Sequence, residues 1–233
     1  MRVESAIPTL VITADDYGYR PSYNRGILEA ARAGAVDAVS AMVEREFCDA
    51  EPLLRTGIAI GLHLELPETL EEGAARGSAL SQLDRFKRTF GRQPAYLDGH
   101  NHCHAADGLA APIARMAAER GIAVRSVDDR HRRLLRSVGV STPDRLVGRL
   151  DPAEPVLPDL LGSVLEGSAA PPPGVTEWMV HPGYRDPERA SSYDAAREQD
   201  LELVLNRSDR LGRFFRRLRE SGGPSLDLPH ALR

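Results

Sequence analysis

The chain has 233 residues, 42% of them hydrophobic, which is enough for one full core, and a formal net charge of −4 with no nucleic-acid-binding motif. No apolar run approaches the ~20 residues that span a bilayer. Residues Met1–Pro8 lack the charged-then-apolar plan of a signal peptide, so cytoplasm is the expected location, and two cysteines, Cys48 and Cys103, argue against a disulfide framework.

In chain order, Thr9–Thr13 is an apolar, β-branched run that reads as a buried strand. Two adjacent carboxylates, Asp15 and Asp16, close it, followed by Tyr17-Gly18. Such a pair also suits a helix N-cap or an Asx-turn. Ser22–Ala33 is amphipathic and ends before Gly34. Val36–Val43 reads as a second strand and Phe47–Arg55 as a helix. Ile58–Leu64 is a third strand with His63 at its end. Pro67–Ser81 has no clear apolar period and reads as a loop. Gln82–Phe90 is helical, with Leu83, Phe86, Lys87 and Phe90 on one face.

Ala95-Tyr96-Leu97 leads into Asp98-Gly99-His100-Asn101-His102-Cys103-His104, where three of the seven histidines fall within five residues. As an extended strand end, this stretch would put His100, His102 and His104 on one face. Leu109–Arg120 is a helix closed by Gly121, and Ile122–Val127 a strand with Arg125 inside it. Arg130–Arg136 reads as a solvated basic helix face. Asp151–Pro158 and Ala169–Gly174 are Pro-rich loops around a short helix, Asp159–Glu166. Thr176–Val180 is a late strand ending at His181-Pro182-Gly183-Tyr184. Ser192–Leu205 and Ser208–Glu220 read as closing helices.

Strand ends at Asp15-Asp16, His63, Asp98–His104 and His181, separated by helical or loop sequence, are the plan of a (β/α) barrel with its site at the carboxyl face. Neither a repeat nor a low-complexity linker interrupts residues 1–233, so one α/β domain is expected. One carboxylate with two imidazoles suits an open divalent site. A neighbouring carboxylate can serve as base, and a histidine across the site can protonate a leaving group or stabilise an oxyanion.

These stretches resemble the YdjC (ChbG/HpnK-type) carbohydrate deacetylases. The resemblance is carried by Thr13–Gly18, Gly61–Leu64, Asp98–His104 and Thr176–Tyr184, with weaker matches at Val124-Arg125 and Thr142–Gly148, and runs from about residue 8 to about 205. It implies a distorted, TIM-barrel-like (β/α) fold and removal of acetyl groups from N-acetylated sugars such as chitooligosaccharides. It implies Asp16, His63 and His100 as ligands of Mg²⁺ or Zn²⁺, Asp15 as catalytic base, and His181 as acid or oxyanion partner. His102 and His104 would line the site or support it, and Tyr17 would do likewise. Asp98 would orient a ligand histidine, and Arg125 would contact substrate or support Asp15. Glu65 and a short stretch between His63 and Asp98 depart from the family pattern and leave the sugar open. The expected partner is an acetylated amino sugar, with no nucleic acid and no membrane; a homodimer stays open. The alternatives are a metal-dependent phosphoesterase and a sugar-binding barrel without turnover.

Overall fold

The computed structural model describes residues 8–206 apart from 68–69, 150, 152–153, 155–156, 187 and 189–190. Seven parallel strands form one sheet: β1 (Thr9–Tyr17), β2 (Ala38–Ala41), β3 (Ala59–Leu64), β4 (Tyr96–Gly99), β5 (Ala123–Val124), β6 (Arg145–Gly148) and β7 (Val175–Val180). Their order, β5-β4-β3-β2-β1-β7-β6, is the chain order read around a ring with one opening between β5 and β6. The segment before β6 lies along that opening: Val124 N–H donates to Ser141 O at 3.0 Å and Ser126 Oγ to Pro143 O at 3.0 Å. The fold is a distorted (β/α) barrel.

Helices α1 (Pro21–Arg32), α2 (Ala50–Leu54), α3 (Glu72–Phe90), α4 (Ala110–Arg120), α5 (Asp129–Ser137) and α6 (Asp159–Glu166) follow strands in turn, and residues 194–206 are helical after β7. The expected loop Pro67–Ser81 is instead largely the first half of α3. Ala75 and Ala79 are fully buried there and continue the face of Leu83 and Phe86, a stripe of small residues too weakly apolar to register as a period. Strand β6 leaves no buried apolar run in the sequence, since Arg145–Gly148 is four half-buried residues. The helix expected over Ser208–Glu220 lies outside the described residues. No described helix is long and apolar enough to cross a membrane.

The register explains where the core sits. Ile12, Val39, Ile60, Leu62, Leu97, Val124 and Trp178 share one face of the sheet and pack beneath the helices. The other face turns into the barrel lumen and is polar: Thr13, Ser40, His63, Tyr96, Asp98 and Glu177, all buried. A buried polar lumen must be internally hydrogen-bonded. Gly61 makes room for it, since a Cβ there would lie 2.3 Å from the Tyr96 ring.

Candidate active site

The site starts from a fault in strand β1. Ala14 pairs with Val39 and Tyr17 with Ala41, so β1 takes three steps where β2 takes two. The extra residue is Asp16, in the left-handed region at φ 74°, which aspartate tolerates better than most residues. Ala14 and Tyr17 therefore both face outward, and Asp15 and Asp16 between them both serve the lumen. Tyr17 accordingly stands apart from the site. It is buried on the outer face and its hydroxyl donates to Asp49 O at 2.7 Å. The same phase shift brings Tyr19 to the cavity wall instead.

A second irregularity follows β4. The histidine stretch is a 3₁₀ helix, His100–Ala105, broken by left-handed Asn101 (φ 50°) and His102 (φ 57°). The three imidazoles therefore do not share one face as an extended strand would require. His100 reaches the cavity, and Nδ1 lies 3.0 Å from Asp16 Oδ1. His102 lines the same cavity. His104 turns into the core, where Nε2 donates to Arg125 O at 3.0 Å and its ring lies 5.4 Å from that of His131.

His63 completes a trio. Its Nε2 lies 3.2 Å from Asp16 Oδ1, and its Nδ1 lies 2.8 Å from Asp98 Oδ1. Ligand atoms of Asp16, His63 and His100 all fall within 4.8 Å of one another. Asp98 is in turn held by Ser40 Oγ at 2.7 Å, and Ser40 by the Tyr96 hydroxyl at 2.9 Å. A ring nitrogen fixed by a carboxylate presents the other nitrogen to the cavity, the usual arrangement behind a metal-binding imidazole. One carboxylate oxygen and two imidazole nitrogens converging at such distances fit a divalent cation.

Asp15 stands beside this trio under different control. Arg125 grips both of its oxygens, Nη1 to Oδ2 at 2.6 Å and Nη2 to Oδ1 at 2.9 Å. The same guanidinium meets Glu177 at 2.9 Å and Asp98 at 2.9 Å. Arg125 is buried and absent from the cavity lining, so it supports Asp15 and does not reach substrate space. A carboxylate has about four acceptor positions, so two remain on Asp15 after this grip. A second group of ligand-type residues, Asp15, His63 and Asp98, also comes together, but Arg125 already supplies a cation there.

Charge and burial set the protonation states. Burial alone would raise the Asp16 carboxyl, but the Arg197 guanidinium and hydrogen bonds from His100 and His63 outweigh it and hold Asp16 well below the usual range. Burial opposes ionisation of Asp15 too, and Arg125 followed by His63 overrides it. Burial would strip the proton from His63, yet Asp98 and Asp15 raise its pKa well above the ordinary value. His181, at the end of β7, lines the cavity and has its pKa lowered by burial, against the pull of Asp16 and Asp15. Burial and then Arg125 bring His102 down to about 4.

The cavity encloses about 480 Å³ at the carboxyl ends of the strands, and Asp15, Asp16, His63, His100, His102 and His181 all open onto it. Tyr19, Tyr23 and Tyr193 add aromatic wall, and Arg149, Arg197 and Asp200 close the far side. Sequence reasoning missed Glu177, Ser40, Tyr19 and Arg197. Glu177 had left a signal, as a charge inside the apolar run Thr176–Val180. Arg197 left none that local periodicity exposes, since it meets Asp16 across 181 residues.

A family model described as YdjC-like protein matches residues 9–80 and 68–216. A chitooligosaccharide deacetylase of Escherichia fergusonii is 30% identical over 237 residues, covering 85% of this chain and 91% of that protein. A chitooligosaccharide deacetylase of Enterobacter sp. (strain 638) is 28% identical over 248 residues, covering 88% and 98%. Among solved structures, a protein of Enterococcus faecalis V583, described as a candidate for cellobiose-phosphate cleavage, superposes with a TM-score of 0.72 at 20% identity, covering 91% and 95% of the two chains. That likeness bears on the fold.

Proposed function

We propose, because the chain belongs to the YdjC-like protein family, that it is a metal-dependent carbohydrate deacetylase acting on N-acetylated amino sugars. The observation that carries this reading is the convergence of Asp16, His63 and His100 beside an Arg125-bound Asp15 in one cavity. The curated relatives named chitooligosaccharide deacetylase support the substrate class.

Asp16, His63 and His100 would hold the cation, and the two imidazoles favour zinc over magnesium on ligand softness. The bound ion supplies Lewis-acid polarisation and makes water more acidic. Four carboxyl groups (Asp15, Asp16, Asp98 and Glu177) and two guanidiniums (Arg125 and Arg197) are buried around it. Arg125 among Asp15, Asp98 and Glu177 takes the place a second ion would need, which disfavours a two-metal phosphoesterase.

Asp15, ionised and held by Arg125, accepts a proton from the water that attacks the acetamide carbonyl. Its free lone pairs are the ones Arg125 does not take. Burial lowers the His181 pKa against the pull of the nearby carboxylates, so the proton it gives to the departing amine is the one Asp15 took from water, passed on to the imidazole. Asp15 and Asp16 favour that protonated form. The carbon–nitrogen bond then breaks to leave acetate and a free amino sugar. The wall residues Tyr19 and Tyr193 offer apolar faces on which a sugar ring can stack.

The test is acetate release from N-acetylated chitooligosaccharides. The expected result is equimolar acetate and free amine, abolished by chelation and restored by zinc or magnesium. Phosphate release from a generic ester, with no acetate from any acetylated sugar, would overturn the reading.

A further inference from the structure

The helix of residues 194–206 carries three buried charged side chains at intervals of three: Asp194, Arg197 and Asp200. Such spacing places them along one side of the helix. Each reaches a different part of the cavity wall. Asp194 Oδ1 accepts from the Tyr23 hydroxyl at 3.0 Å. Asp200 accepts from the His181 backbone N–H at 2.8 Å and from Arg149 at 2.6 Å. Arg197 donates through Nη2 to Oδ2 of Asp16. Buried charges carry a desolvation cost that a merely space-filling helix avoids, as this helix does at Leu201 and Val204.

Arg197 is fixed from several sides. The Tyr23 ring centroid lies 3.8 Å from its Cζ, and its carbonyl accepts from Gly183 N–H at 3.2 Å. A Cβ at Gly183 would press on Arg197 Cδ at 3.3 Å and Tyr23 Cδ1 at 3.2 Å, so the glycine permits this packing. Nε and Nη1 are buried without a hydrogen-bond partner among the described residues. Asp16 is the anion that this guanidinium pairs with.

We propose that Arg197 is a positioning residue that confines Asp16 to a single ligating oxygen and weakens cation binding, so that coordination positions stay open for water and substrate. The proposal rests on the metal-dependent reading above. With Oδ2 held by Arg197, only Oδ1 faces His63 Nε2 and His100 Nδ1. A carboxylate freed from the guanidinium can turn both oxygens to an ion and fill a position that a catalytic site leaves open. The fixed positive charge on the same carboxylate also repels an ion bound to its other oxygen.

Zinc and magnesium titrations by calorimetry, on metal-free wild type, Arg197→Met, Arg197→Gln and Arg197→Lys, test the inference. Arg197→Met and Arg197→Gln should bind the ion at least about tenfold more tightly, and Arg197→Lys within about threefold of wild type. The added ion should raise the melting temperature further in Arg197→Met than in wild type, a reading available even where the metal-free variant is weakly folded. Deacetylation kcat should fall in Arg197→Met despite full metal occupancy. Unchanged or weaker ion binding in Arg197→Met and Arg197→Gln would overturn the proposal. Wild-type protein that binds no divalent ion would overturn the metal reading itself, a distinct outcome.

Discussion

His63 and His104 are shut away from water alike, 2% and 0% exposed, yet their environments push them in opposite directions. Burial disfavours the charged ring in both. Around His63 it is overcome by Asp98, Asp15 and Asp16, and its pKa rises well above the ordinary value. Around His104 no carboxylate compensates: burial is reinforced by His131, and the pKa falls well below that value. A buried imidazole ringed by carboxylates attracts a cation, whether a proton or a metal ion. One whose fixed contact is a backbone carbonyl is a neutral structural piece. The two rings belong to one barrel end, and what separates them is which groups the strands bring alongside.

The largest expected effect tests that contrast directly. His63→Ala should lose the bound ion and drop deacetylation to background, whereas His104→Ala should keep a full complement of metal. Elemental analysis of both purified variants decides it, and equal metal loss in the two would erase the distinction. Next comes the division of labour within the aspartate pair. Asp15→Asn should retain metal and turn over at least about a hundredfold more slowly, the ordinary cost of losing a positioned base. Asp16→Asn should lose the metal itself. Metal content measured beside acetate release separates the two, and near wild-type turnover by Asp15→Asn would exclude it as the base.

Smaller effects fall on stability. His104→Ala opens a cavity in the core and strands the Arg125 carbonyl, so denaturant unfolding should show a loss of about 2–4 kcal/mol. The smallest effect is a pH slope. Burial holds His104, and less strongly His131, below the ordinary histidine pKa in the folded state. The unfolded chain therefore binds more protons below pH ~6.5, and stability is lost as pH falls through that value. Melting temperatures of metal-loaded protein should decline from pH 7 to 5, and the decline should be shallower in His104→Gln. An unchanged slope would show that other groups dominate the acid response.

Much of the barrel was legible beforehand because a buried strand and an amphipathic helix leave short-range marks. The runs Thr9–Thr13, Ile58–Leu64 and Thr176–Val180 correspond to β1, β3 and β7, and Asp159–Glu166 to α6. The first half of α3 hid behind alanine and glycine, whose burial leaves little hydropathy contrast. β6 hid because it is an edge strand of four half-buried residues.

By itself the sequence determined which chemistry-bearing side chains stand at strand ends, since apolar runs stop at Asp15-Asp16, His63, Asp98 and His181 and the parallel α/β plan gathers such ends on one rim. Only the tertiary structure decided which way each side chain turns and what charge lies beside it. The left-handed step at Asp16 sends both carboxylates inward and Tyr17 outward, and the left-handed pair Asn101-His102 parts His100 from His104. Arg125 meets Asp15 across 110 residues and Arg197 meets Asp16 across 181. Hydropathy periods report burial along a few neighbouring residues. Ion pairs that close a barrel depend on its curvature and on a change of strand phase, and neither is written into any short stretch of chain.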